Sequence, residues 1–249
     1  MKRTVTRLVC AAWLAMLAGP AISGCRDAPG PDVDWSNCKK KQLMLSRENL
    51  ANARFSKTYF TSTDFSGSNL SGAQFIEADL SRANLSKTNL SKASFTKVQA
   101  TRAWFEGANL TGAVFRKSEM TRALFRGANL DGADFSRSEL NRANFESARL
   151  SDVDFSKAEL ARANLAGQRL SGIDFSYANL SRADFRGTIL GDAQMDGAYM
   201  FLTRLEGADL TAVANLTQDQ LKLACGDEKT KLPQSLSASA KWPCLDLDD

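Results

Sequence analysis

From Leu45 to Leu210 every fifth residue is Leu, Phe or Met, with Ala100 the single exception, through 34 consecutive units without an insertion. A spacing of five is incompatible with an amphipathic helix, which places apolar residues 3.6 apart. It equally excludes an ordinary strand, which alternates every two. The backbone must follow some other path that returns every fifth side chain to a common interior, and the chain reads as a repeat protein.

A second position, two residues before each large one, is nearly always small: Ala73, Ala78, Ala83, Ala93, Ala103, Ala108 and Ala113 are examples, with Ser, Thr or Val elsewhere. Large and small side chains therefore fill one interior, and the remaining three positions are mostly polar. A further period of twenty lies over the five. Leu50, Leu70, Leu90, Leu110, Leu130, Leu150, Leu170, Leu190 and Leu210 fall in one column. Phe55, Phe75, Phe95, Phe115, Phe135, Phe155 and Phe175 fall in another, followed by Met195. Such sorting would not occur in a coil with three sides. Stacked at the interstrand spacing of about 4.8 Å, roughly eight and a half coils make a rod on the order of 40 Å long. Its stability would come from stacking like side chains, at about 1.5–3 kcal/mol for each fully buried Leu or Phe.

Units such as Ala83-Asn84-Leu85-Ser86-Lys87, Ala108-Asn109-Leu110-Thr111-Gly112 and Ala128-Asn129-Leu130-Asp131-Gly132 resemble the A(D/N)LXX signature of pentapeptide repeat proteins. The resemblance covers about two thirds of the chain. It implies an all-β fold, a right-handed quadrilateral β-helix with one pentapeptide per side and the Leu/Phe and Ala positions facing inward. The expected organisation is residues 1–24 as a leader, 25–42 as tether and N-terminal cap, 43–213 as the β-helix, and 214–249 as a helix and tail closing the far end.

The leader expectation rests on Lys2, Arg3 and Arg7 ahead of the apolar run Leu8 to Ala18, too short to span a bilayer. The run ends in Ile22-Ser23-Gly24-Cys25, which looks like the lipobox of bacterial lipoproteins. That resemblance implies cleavage before Cys25, acylation of its sulfur and N-terminus, and stable anchoring in a membrane. Arg26 after the cysteine points to the outer membrane. The alternative is a simple secretory leader, leaving Cys25 an ordinary thiol that could pair with Cys38. In an oxidising periplasm Cys225 and Cys244 are expected to form a disulfide that pins the tail. With Cys25 acylated, Cys38 would be a buried thiol.

Arg26 to Lys41, with Pro29, Gly30 and Pro31, reads as the tether, although Trp35 and Cys38 already fall in the repeat register. At the other end Asn215 breaks the register, and Thr217-Gln218-Asp219-Gln220 is a capping box opening a short helix through about Cys225. Trp242 and Pro243 could add a further lid. The tail ends in Asp246, Asp248 and Asp249.

The chain contains no His, which removes His-based acid/base and nucleophile arrangements and the commonest metal ligand. No cysteine spacing suggests zinc, and neither a cofactor nor a metal is expected. A glycosidase-like site, as in some other β-helices, needs a clustered carboxylate pair, whereas Asp134, Asp154 and Asp174 form a regular column. That column reads as part of the repeat's own bonding, as does the column Asn49, Asn69, Asn89, Asn109 and Asn129.

On the surface Arg82, Arg102, Arg122, Arg142, Arg162 and Arg182 recur at intervals of twenty. They could form a basic stripe for an anionic envelope polymer. Asp79, Glu119, Glu139 and Glu159, each three residues before one of those arginines, favour instead a salt-bridged, solvated wall. Trp104 and Leu124, one coil apart and outward, could anchor a protein partner or a second copy of the chain, or be ordinary scattered surface apolar groups. Between Leu43 and Val213 stand 21 Lys or Arg against 19 Asp or Glu, a net charge of +2. Gyrase-protecting pentapeptide proteins resemble duplex DNA by a strongly negative surface, so a nearly neutral exported chain is not expected to mimic or bind nucleic acid. The expected function is that of a non-catalytic scaffold or interaction protein at the cell envelope.

Overall fold

The computed structural model describes residues 24–244. The leader expected at residues 1–24 lies outside the described residues except for Gly24, as does the acidic end within residues 245–249. From Asp34 onward the chain runs in coils of twenty residues, joined by parallel bridges such as Asn49 to Asn69, Asn69 to Asn89 and Asn89 to Asn109. Four turns per coil give four flat walls, and the described backbone contains one helix, α1, over Gln218–Leu223.

One pentapeptide explains why the coil closes. The Leu70 N–H donates to the Asn89 carbonyl in the next coil (2.7 Å), and the Gly72 N–H to Ser91 (2.9 Å). The Gln74 N–H donates to Ala53 in the coil before (2.9 Å), and the Ala73 N–H closes the turn onto Leu70 (3.0 Å). Only the Ser71 N–H lacks a backbone acceptor, and the Asn69 side chain takes it at 3.3 Å. Where an outward Asn or Asp precedes the large residue, it therefore completes the hydrogen bonding of its own turn, which is why the motif favours it. The inward hydroxyls are satisfied similarly: Thr188 donates to the Leu165 carbonyl and Thr203 to that of Leu180, both at 2.8 Å.

The core is the set of stacked columns. Phe75, Phe95, Phe115 and Phe135 lie face to face, with centroids 4.5–4.9 Å apart, and meet the adjoining Phe105 and Phe125 column edge-on. Ala100 is fully buried in line with Leu80 and Met120. Each corner needs one residue with positive φ. Lys, Arg and Asn fill many of these positions, and Gly fills others. Gly191 is constrained twice, by its φ of +52° and because an added Cβ would lie 2.6 Å from the Leu170 carbonyl oxygen.

The ends differ from the sequence expectation. Residues 34–42 belong to the first coil rather than to a tether, since Asp34 bridges Arg54 and Trp35 is buried against Phe55 and Phe60. Cys38 is not a free thiol: it is bonded to Cys25. At the other end Thr217 caps α1 in a capping box with Gln220, and Leu221 and Ala224 are buried over the last coil. The chain then adds bridges from Arg204 to Cys225 and from Asp209 to Lys231, resuming the coil after insertions that hide its register in the sequence. The Cys225–Cys244 disulfide and the Trp242 indole, which donates to the Ala224 carbonyl (2.7 Å), hold the tail across this end.

Phe115→Ala, in the middle of the stack, is expected to cost about 3–5 kcal/mol in chemical denaturation. Gly191→Ala should lower stability by about 1–3 kcal/mol. Gly127→Asn should change it by less than about 1 kcal/mol, because Asn tolerates positive φ and nothing lies within 4 Å of an added Cβ there.

Candidate binding surface

The four walls are distinguished by their outward columns. One carries Asn49 to Asn129, within which three side-chain N–H groups donate to the Asn one coil before: Asn69 to Asn49 at 3.0 Å, Asn89 to Asn69 and Asn109 to Asn89 at 3.2 Å. The next carries Asp134, Asp154 and Asp174, whose carboxylates accept the Ser136, Ser156 and Ser176 backbone N–H groups at 2.8–2.9 Å. The third carries Asp79, Glu119, Glu139 and Glu159, and the fourth Asn84, Trp104, Leu124 and Asn144. The Asp column is thus spent on turns, as repeat chemistry requires.

The arginine column runs down the corner between the third and fourth walls. The salt bridges expected there do not form at four of the six arginines: among the described residues no ion pair reaches Arg82, Arg102, Arg122 or Arg142. The physical reason is position on the coil. Each carboxylate stands on the flat of the wall, whereas each arginine occupies the positive-φ corner that follows, with φ of 57–60°. The acidic groups find other partners, Asp79 with the Thr61 hydroxyl (2.8 Å) and Glu159 with the Asn179 amide (2.7 Å). Elsewhere charges pair along a corner, as Arg126 does with Glu106 and Glu146, and Lys57 and Lys97 with Glu77. Arg162 and Arg182 continue the column and are already engaged.

An open groove of about 600 Å³ follows the arginine corner, lined by Arg82, Arg102, Arg122 and Arg142 with Thr101 and Thr121 between them. Trp104 follows Arg102 by two residues on the adjoining wall and is 47% exposed; Leu124 lies one coil above it and is half-buried. The structure therefore brings the two groups of sequence candidates to one corner. What the sequence left undecided was whether the arginines were neutralised, because a spacing of three is compatible with either outcome until corner and wall are distinguished.

Cys25 was the other candidate. Its sulfur is bonded to Cys38, the pairing expected for a simple secretory leader, and one sulfur cannot be at once in a disulfide and in the thioether of a lipid anchor. Among the described residues no group of three His, Cys, Asp or Glu is placed to hold a metal, and no helix is long and apolar enough to cross a membrane.

The fold and its columns define a four-sided solenoid in which every side is one pentapeptide. The pattern of a pentapeptide repeat region matches residues 69–145 and 98–175, and that of pentapeptide repeats in eight copies matches 45–75 and 178–213. The chain belongs to the pentapeptide repeat proteins. Similar solved structures include HetL, a pentapeptide repeat protein involved in heterocyst differentiation regulation from the cyanobacterium Nostoc sp. strain PCC 7120. It is 24% identical, with 80% of this chain and 91% of that one covered and a TM-score of 0.44. Full-length QnrB1, a plasmid-mediated fluoroquinolone resistance protein, is 22% identical, with 81% and 94% covered and a TM-score of 0.40. No curated protein matches the chain.

Two of the turn carboxylates allow a pH prediction. Burial pushes the Asp79 carboxyl up, but hydrogen bonds from Ser81 and Thr61 and the Lys41 charge outweigh it and leave the group below the ordinary 3.8. Asp184 is likewise raised by burial and lowered further by Arg186 and Arg204. A carboxyl depressed in the folded state contributes stability above its unfolded value, and the contribution disappears as pH falls through the folded one. Denaturation midpoints should therefore hold level above pH about 5 and fall as pH drops below about 4. Asp79→Asn combined with Asp184→Asn should flatten that acid limb.

Proposed function

We propose that this protein is a non-catalytic interaction rod of the cell envelope, working in an oxidising compartment, with both ends of its coil locked by disulfides. The observation that carries this reading is the pairing of Cys25 with Cys38 and of Cys225 with Cys244, one bridge at each end of the stack. Such bridges persist in exported proteins and are rare where thiols are kept reduced. The leader-like beginning of the chain agrees with this. The non-catalytic reading rests on how the columned carboxylates are used: they accept turn N–H groups, so they are committed to the coil. What remains for function is the shape of the walls and the side chains at the corners.

DNA mimicry, the property associated with quinolone-resistance relatives, is disfavoured by the near-neutral coil and by its arginine corner. A lipid tether through Cys25 would require that the Cys25–Cys38 bond never form.

The test is the intact mass and detergent-phase partition of protein expressed with its own leader, beside Cys25→Ala. The expected product lacks the leader, carries no acyl group, partitions to water, and loses two hydrogens for each of two bridges. Cys25→Ala should lose one bridge and remain aqueous. An acylated, detergent-phase product that becomes aqueous in Cys25→Ala would replace the N-terminal disulfide by a lipid anchor. Full-length reduced protein in the cytoplasm would overturn the exported reading.

A further inference from the structure

The corner that holds Arg82 to Arg142 differs from the cationic corner before it in what stands on its two sides. Lys117 and Arg137, for comparison, occupy the corner between the second and third walls. Arg137 stands between Asp134 and Glu139, and Lys117 between Val114 and Glu119 with Asp134 one coil on. An anion approaching there meets carboxylates from both directions. The arginine corner has carboxylates on one side only. On its other side the wall is neutral and hydrogen-bonding: Asn84, Trp104, Leu124 and Asn144 in four successive coils.

A ligand for this place must be anionic along one edge and uncharged along an adjacent face. It must also extend along the rod, since the groove passes from Thr61 to Asn141, five coils or roughly 19 Å at the interstrand spacing. The arginines recur once per coil, about 4.8 Å apart, a step close to the length of one sugar ring in an extended chain. A nucleic acid strand is dense with phosphate and would press charge against Glu119 and Glu139. A sugar acid polymer carries one carboxylate per unit and presents an apolar ring face beside hydroxyls, which suits an exposed Trp flanked by Asn and Thr.

Resting on the reading of the rod as an interaction surface, we propose that the Arg82–Arg142 corner and the Trp104 wall together bind a linear acidic polysaccharide laid along the rod. Its carboxylates meet the guanidinium groups of Arg102 and Arg122, whose fork geometry matches a carboxylate. Its ring faces cover Trp104 and Leu124, and its hydroxyls reach Thr101, Thr121 and Asn144.

The experiment uses the oxidised protein and polygalacturonate as the probe, with methyl-esterified polygalacturonate and single-stranded DNA in parallel, from about 50 mM salt upward. Binding is expected to the acid polymer, with the ester and the DNA at least about tenfold weaker. Arg102→Gln/Arg122→Gln should weaken binding by about tenfold or more, and Trp104→Ala by several-fold. Lys117→Gln/Arg137→Gln removes the same charge from the same kind of turn position and should change binding less than about twofold. Equal losses in both double variants, DNA binding as tight as the polymer, an unaffected Trp104→Ala, or no binding at low salt would each overturn the proposal. Thermal melts of the variants establish that the coil is intact. None of these outcomes alters the intact-mass test of the exported rod.

Discussion

Everything in this molecule depends on the hydrogen bond between one coil and the next. Each wall offers its neighbour only a short run of backbone before the corner, so no wall is stable alone. The stack gains because the N–H groups of a pentapeptide find acceptors: three reach the coils above and below, one closes the turn, and where the outward residue is Asn or Asp its side chain takes the last. That accounting leaves the interior free of polar demand apart from hydroxyls that donate to carbonyls of the preceding coil, and lets like side chains stack for the whole length. The Phe column is the visible result, and its cooperative packing makes the rod a single body.

The corners carry the conflict. Positive φ is costly for residues other than glycine, yet the corners hold Lys and Arg as often as Gly. Backbone bonding on either side over-determines the turn, so side-chain identity is released from folding. Corner residues are the positions where a surface can be written without disturbing the core, and the arginine column occupies them. A property of the turn thus decides where recognition can be placed.

Much of the architecture was readable in the sequence because its cause is periodic. The all-Leu column at intervals of twenty agreed with four sides, and Thr217 with Gln220 marked the start of α1. Other features escaped for physical reasons. The resumption of the coil near Cys225 and Lys231 follows two single-residue insertions, which destroy a fixed period while leaving backbone pairing intact. The beginning at Asp34 was obscured because Lys40 takes a position that is apolar in later coils, its charge resting over the Trp35 ring, 3.8 Å from the centroid. The state of the arginine column depends on whether groups three residues apart share a plane. That question belongs to corner geometry, and composition is silent on it.

Because each coil touches only its neighbours and repeats after twenty residues, the rod has a natural unit of growth. Copying or excising one complete turn in the middle of the stack would change its length by about 4.8 Å and leave each lateral column in line, from the Phe stack to the arginine corner. Length is therefore a quantity that evolution can adjust in equal steps, independently of what is displayed along it. A molecule built this way can serve as a graduated spacer, its span set by gene duplication and its display by single substitutions at the corners.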